Sequence, residues 1–251
     1  MRRMFAKKKG ILLFLHVPKA AGSSLLETIK QNYSSREIFE VDGSNISKSR
    51  EIIENYSSLK KSKIGLVYGH MPYGWHEMFP RRKYEYITML RDPVDRIVSH
   101  YYFVLRTPNH YLYEQVVTHK MCLSDYVNDG ISPELDNGQL RQLYGLGFFQ
   151  KPFDFGSVPF GSCTNEMLNH VKKRLVEEFT CVSLMENMNE SVASLSQKYR
   201  WKNKDIVHKN KTNGRPTVQD LAMNIRLSIE ERNQLDIQLY KFVCENRELW
   251  N

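Results

Sequence analysis

The chain has 251 residues, 41% hydrophobic and 25% charged, with 36 Lys and Arg against 28 Asp and Glu for a net charge of +8. This balance excludes a disordered or low-complexity polymer and supplies enough apolar material for one α/β domain with a sizeable core. The positive excess favours anionic partners such as nucleotides, acidic glycans or nucleic acid. Roughly half of that excess lies in the terminal run Arg2, Arg3, Lys7, Lys8 and Lys9, so it discriminates little among them.

Residues 1–10 are a basic tail. The apolar run behind it, Ile11 to Leu15, is too short for a secretory leader, and no stretch approaches the roughly 18 to 20 apolar residues of a membrane span. The expectation is a soluble, cytoplasmic protein. Cys122, Cys163, Cys181 and Cys244 lack any close metal spacing, which predicts free thiols and no metal. Sequons at Asn32, Asn45, Asn55, Asn189 and Asn210 would matter only in a secreted chain.

Ile11 to Val17 is short, branched and apolar, as expected of a strand buried on both faces of a parallel sheet, and Pro18 ends it. From Ser24 onward Leu25, Leu26 and Ile29 recur at helical spacing, with Ser23 or Ser24 as N-cap and Glu27 placed for a capping box. Between strand and helix, Ala20, Ala21, Gly22 and Ser23 carry nothing larger than a hydroxymethyl group, so backbone amides can crowd an anion at the helix start. Lys19 adds a charge at the strand end. The pattern is P-loop-like but departs from G-x-x-x-x-G-K-[ST], because Ser23 stands where the Lys belongs. An ordinary strand-to-helix turn has the same composition.

A strand at Ile38 to Val41 and a helix through Glu51 to Tyr56 follow, then a strand over Lys63 to Tyr68 that ends in a loop rich in Gly, Pro and aromatics. His70 lies just beyond the carboxyl end of that strand, where open parallel sheets bind ligands, and a neutral imidazole suits a general base. A loop histidine bonding carbonyls is the alternative. His76-Glu77 opens an H-E-x-x-H pattern that Pro80 interrupts. Tyr84 to Leu90 is the next strand. Asp92 as N-cap and Pro93 at the first helical position then start a helix with Val94, Ile97, Val98, Tyr101 and Leu105 on its apolar face. Arg91 at the strand end and Ser99 two turns on can grip one phosphate from two sides, or Arg91 can simply pair with Asp95.

From Arg106 to Phe160 the composition turns to Tyr, Phe, His and Gly, with helical stretches over Leu123–Val127 and Pro133–Tyr144. Residues 147–163 read as an irregular lid or surface loop. A helix over 165–178, a strand over Phe179–Leu184 and a helix from Ser191 continue the β and α alternation. His208 to Pro216 then breaks it, ahead of a C-terminal helix with Leu227, Ile229, Leu235, Ile237, Leu239 and Phe242 in the core.

The stretch Val17-Pro18-Lys19-Ala20-Ala21-Gly22-Ser23-Ser24-Leu25 resembles the 5′-phosphosulfate loop of sulfotransferases that use 3′-phosphoadenosine 5′-phosphosulfate (PAPS), with the carbohydrate branch nearest. Tyr86 to Phe103 is similar to the family's 3′-phosphate strand and helix, and Tyr68-Gly69-His70 resembles the catalytic-histidine segment of the 2-O-sulfotransferases. The resemblance implies a three-layer P-loop-like α/β fold with a central, mostly parallel sheet, in a single domain over 1–251 whose acceptor side is an insertion at 107–163. It implies sulfuryl transfer from PAPS to a carbohydrate or other hydroxylated acceptor, leaving 3′,5′-adenosine bisphosphate, with His70 as base and no metal. Lys19 and the amides of Ala21 to Ser24 would stabilise the departing phosphate, Arg91 and Ser99 would hold the 3′-phosphate, and Lys209, Lys211 and Thr212 would close over the nucleotide. Asn137 to Leu143 resembles a segment whose polar side chains face the cleft, which makes Gln139 and Arg141, with Arg106, the acceptor candidates. The competing readings are an ATP- and magnesium-dependent phosphotransferase, disfavoured by the missing Lys at position 23, and a nonenzymatic binder of acidic glycan or nucleic acid.

Overall fold

The computed structural model describes residues 10–145, 158–203, 206 and 214–250. In chain order the first elements are β1 (Ile11–Leu15), α1 (Gly22–Lys30), β2 (Ile38–Val41), α2 (Ile46–Glu54), α3 (Ser58–Lys63), β3 (Leu66–Gly69), β4 (Tyr84–Leu90) and α4 (Pro93–Val104). They continue with α5 (Tyr113–Thr118), α6 (Leu123–Asn128), α7 (Gly138–Tyr144), α8 (Asn165–Glu178), β5 (Phe179–Leu184), α9 (Met188–Tyr199), α10 (Met223–Arg232) and α11 (Gln234–Glu245). All five strands are parallel, in the order β2-β3-β1-β4-β5.

The sheet is buried on both faces, which is why its strands read as continuous apolar runs rather than alternating ones. Leu12, Phe14 and Tyr68 pack with Leu25 and Ile29 of α1 and Leu195 of α9 on one face. Leu13, Leu15 and Val67 pack with Ile53 of α2, Leu140 of α7, Val171 of α8 and Leu239 of α11 on the other. A third cluster joins Ile97 and Val104 of α4 to Val116 of α5, Tyr126 of α6 and Ile229 of α10. Helix, sheet and helix form the three layers expected.

Several boundaries differ from the sequence expectation for identifiable reasons. Helix α1 begins at Gly22, not Ser24, with Ala21 as its N-cap at φ 61 and no side-chain cap, so the expected capping box does not form. Residues 58–63 are helical, and β3 starts only at Leu66. The predicted helix over 133–144 is a 3-10 turn, Pro133–Leu135, and α7, separated by Asn137 in the left-handed region at φ 51. The single C-terminal helix is two, α10 and α11, meeting at Asn233, and Leu227 is solvent-exposed rather than core. Among the described residues no helix is long and apolar enough to cross a membrane.

Strand register positions the chemistry. Leu15 of β1 and Val41 of β2 both pair with Gly69 of β3, so the next residues along, His16, Asp42 and His70, emerge together at the carboxyl edge. Leu15 also pairs with Thr88 of β4, which lets β4 run two residues further and deliver Arg91 beside the loop after β1. Gly69 is required where it stands. Its φ is +152, and a Cβ would lie 2.2 Å from the Val41 carbonyl oxygen.

Candidate active site

The carboxyl edge of the sheet opens into a cleft of about 1710 Å³, floored by the β1–α1 loop and walled by the second half of α4, the β2–α2 loop and the segment between α4 and α7. Open parallel sheets bind ligands at this edge because helix N-termini and strand ends converge there.

The loop after β1 is built to bring backbone close to a ligand. Lys19 and Ala21 both adopt left-handed conformations, at φ 64 and 61. That arrangement turns the chain sharply enough for α1 to start at Gly22. Its first-turn amides have no acceptor within the helix, as at any helix N-terminus, although Ser24 turns its N–H back to the Ala21 carbonyl at 3.2 Å. Gly22 admits no side chain, because a Cβ would meet His16 Cδ2 at 2.3 Å and Phe14 Cζ at 3.1 Å. Lys19, Ala21, Ser23 and Ser24 line the cleft, while Ala20 is buried in the core beneath it.

Lys19 sits at the centre of a cationic group. Burial, and then the charges of Arg91, Arg106 and Arg215, lower its pKa to about 8. Its ammonium lies 3.7 Å from the centroid of the Phe103 ring, a cation–π contact that holds it over the loop. Anion binding therefore couples to Lys19 protonation. From neutrality to about pH 8 the ammonium is charged in the free protein; above that, binding must take up a proton. The affinity for a nucleotide bisphosphate is expected to be flat between pH 7 and 7.5 and to fall above about pH 8, by up to roughly tenfold per pH unit. Calorimetry across pH checks this, with Lys19→Met removing the slope.

Arg91 is almost wholly buried at 6% exposure. Its Nε donates to Asp95 Oδ2 at 2.7 Å and its Nη1 to the Lys19 carbonyl at 2.8 Å, tying the β4 end to the loop. Asp95 also accepts from Arg215 Nη1 at 2.5 Å. Burial would raise the Asp95 pKa, but the Arg215 and Arg91 guanidinium groups outweigh it and hold the carboxyl below its usual range. The pairing of Arg91 with Asp95 foreseen as the plain alternative is thus present, and Arg91 still borders the cleft together with Ser99.

His70 projects from the end of β3 into the cleft, its side chain exposed. Its Nδ1 lies 2.7 Å from the His16 carbonyl oxygen. A carbonyl only accepts, so Nδ1 carries the proton and the neutral ring keeps its lone pair on Nε2. The His16 ring lies 4.5 Å from the His70 ring, centroid to centroid. Burial, then the neighbouring His70 and Lys19, keep the His16 pKa well below the ordinary value, so His16 is a neutral wall.

Two of the acceptor candidates lie elsewhere. Gln139 is fully buried and brackets the Arg91 backbone, accepting from its N–H at 3.1 Å and donating to its carbonyl at 3.0 Å. Arg141 is 6% exposed and forms an ion pair with Asp136 while donating to the Val158 and Pro159 carbonyls. Helix α7 carries Leu140 and Leu143 into the core, so the polar residues between them are turned to framework. Gln139 is fixed in turn by Asp236 of α11, whose carboxylate accepts the amides of Gln139 at 3.0 Å and Leu140 at 2.8 Å. Replacing Gln139 with Leu strands two buried backbone groups and is expected to cost about 1–3 kcal/mol of stability, measurable by urea denaturation. Arg106 is exposed at the end of α4, its Nε donating to the Tyr102 carbonyl at 2.7 Å, near enough to Lys19 to act on its charge. Lys209, Lys211 and Thr212 lie outside the described residues.

The sequence reading passed over the wall opposite His70. His100 of α4 bonds Tyr126 through Nδ1 at 2.5 Å and Glu134 through Nε2 at 2.9 Å. Burial opposes ionisation of Glu134, but the hydrogen bond and charge of His100, with Arg96 and His70 beyond, hold its carboxyl down to about 2. Tyr111, 65% exposed, stacks on His110 at 4.7 Å and hydrogen-bonds Ser132 at 2.8 Å. Partners 21 to 34 residues apart on different elements leave no periodic signal. His16, by contrast, was findable, since it stands one residue past a strand as His70 does. No group of three or more His, Cys, Asp or Glu suited to a metal occurs among the described residues.

A model of the sulfotransferase family matches residues 2–145, more than half of the chain. Heparan sulfate 2-O-sulfotransferase 1 of Homo sapiens is 23% identical over 260 residues, covering 94% of this chain and 70% of that protein, and the Gallus gallus protein of the same name gives the same figures. The Xenopus laevis counterpart is 27% identical over a shorter 104 residues, 38% of this chain and 29% of its own. Among solved structures, a mouse sulfotransferase complexed with PAP aligns over 97% of this chain and 84% of that one, at 16% identity and a TM-score of 0.41.

Proposed function

The chain belongs to the sulfotransferase family, and from that premise we propose that it transfers a sulfuryl group from PAPS to a hydroxyl of a carbohydrate, with His70 as general base. The observation that carries the reading is the meeting, in one cleft, of a histidine with its Nδ1 anchored on the His16 carbonyl and an anion loop held to a buried arginine.

The donor set fits the nucleotide. Lys19, Arg91 and Arg215 supply positive charge, and Ser23, Ser24 and Ser99 supply neutral hydroxyls along the same wall. Lys19 with the amides of Ala21, Gly22 and Ser23 would hold the 5′-phosphate side, and Arg91 with Ser99 the ribose 3′-phosphate. PAPS, when bound, supplies the activated sulfuryl group. His70 Nε2 takes the proton of the acceptor hydroxyl as that oxygen attacks in line, opposite the departing phosphate oxygen. Lys19 and the loop amides meet the charge that grows on the leaving side, already oriented and largely screened from water, where such stabilisation is strongest.

The test is transfer of label from ³⁵S-PAPS to a mixed oligosaccharide pool in the presence of EDTA. Labelled saccharide formed by wild type supports the reading. Transfer of phosphate from ATP that requires magnesium, with none from PAPS, would replace it by the phosphotransferase alternative.

A further inference from the structure

The cations of the cleft are gathered at one end. Among the described residues that line it, the Lys and Arg side chains are Lys19, Arg91 and Arg215, all at the end assigned to the nucleotide. Away from that end the charged groups that line the cleft are carboxylates, Glu40 and Asp42 on the β2 side and Glu134 of the segment before α7, while a fourth, Glu186, lies within the field of Arg91. Among the described residues none of these three forms a salt bridge with Lys or Arg, and Glu134 pairs with His100 within the field of Arg96. Glu40 accepts from the Tyr68 hydroxyl at 2.6 Å, Asp42 from the amide and hydroxyl of Ser44 at 2.9 and 2.6 Å, and Glu134 meets His100. The exposed Tyr111 ring lines the same cleft, pinned by Ser132 and backed by His110.

We propose that the acceptor lobe selects a saccharide that carries no carboxylate or sulfate on the reacting unit or its neighbours, a neutral glycan whose ring lies on Tyr111 and whose hydroxyls bond Glu40 and Glu134. The inference rests on the sulfotransferase reading and narrows its substrate class. Carboxylates are acceptors only, so they take two hydroxyl donors each from a neutral sugar, whereas a uronate or sulfate brought between them meets like charge in a cleft of reduced dielectric. An aromatic face offers a sugar ring apolar contact without regard to charge.

A matched pair of polymers tests it: a polysaccharide of alternating glucuronate and N-acetylglucosamine, and the same chain with its carboxyl groups reduced to alcohols. Initial rates with ³⁵S-PAPS are compared for wild type and for the double variant Glu40→Gln, Glu134→Gln, with melting temperature checking the fold and calorimetry with 3′,5′-adenosine bisphosphate checking the nucleotide site. The expected result is a kcat/KM at least tenfold higher for the reduced polymer, with the gap narrowed in the double variant. Equal or faster turnover of the uronate polymer by wild type overturns the proposal, and so does a gap the double variant leaves unchanged. Turnover of neither polymer by protein that binds the bisphosphate removes the saccharide premise, and absence of bisphosphate binding removes the sulfotransferase mechanism itself.

Discussion

Replacing His70 with alanine is expected to lower kcat for sulfuryl transfer by roughly 10²- to 10⁴-fold, the usual contribution of a positioned general base, while the affinity for 3′,5′-adenosine bisphosphate changes by less than about threefold. The separation of the two effects follows from the geometry. His70 is tied by Nδ1 to the His16 carbonyl and leaves Nε2 for the proposed acceptor, whereas the nucleotide contacts proposed above come from Lys19, Arg91 and the loop after β1. His16 cannot substitute for it, since the ring is buried and its pKa is held well below the ordinary value by burial first and by His70 and Lys19 next. Single-turnover rates with saturating PAPS, alongside calorimetric titration of the bisphosphate, read both quantities. A variant whose turnover falls less than fivefold would return His70 to the role of a loop histidine bonding carbonyls.

Arg91→Ala carries the second large effect, on binding. Truncating one member of a buried, hydrogen-bonded charge pair costs about 2–5 kcal/mol, which here means the bisphosphate binding roughly thirtyfold to several thousandfold more weakly. The change also frees the Lys19 carbonyl, which Arg91 Nη1 holds at 2.8 Å, so the anion loop loses a tether together with a charge. Asp95 keeps Arg215 at 2.5 Å, and the fold is expected to survive. Arg91→Lys should fall between, because a single ammonium cannot reach Asp95 and Lys19 together with a ligand phosphate as a forked guanidinium does. If the pairing with Asp95 were the whole role of Arg91, the melting temperature would drop and the affinity would stay within about threefold.

What the sequence revealed divides along the range of the interactions involved. Strand β1, its loop and the start of α4 were legible because their signals are local: the apolar run of Ile11 to Leu15, the small residues around Gly22, and Asp92-Pro93 as cap and first turn. Helix α1 starts two residues early because Lys19 and Ala21 both accept left-handed backbone, which side-chain preferences do not announce. The resemblance of Asn137 to Leu143 to a cleft-facing segment points Gln139 and Arg141 toward the acceptor. Their partners decide otherwise, since Gln139 bonds a backbone 48 residues away and Arg141 closes on Asp136 and the chain at Val158. The wall of His100, Tyr111 and Glu134 was invisible for the same reason.

The central claim is that the cleft holds a nucleotide by its 3′-phosphate without help from magnesium. Calorimetric titration of the wild-type protein in EDTA with 3′,5′-adenosine bisphosphate and, separately, with adenosine 5′-monophosphate tests it most directly. Binding of the bisphosphate at least tenfold tighter than the monophosphate is the predicted result. Equal affinities, or no bisphosphate binding to folded protein that takes up ATP once magnesium is added, would contradict it.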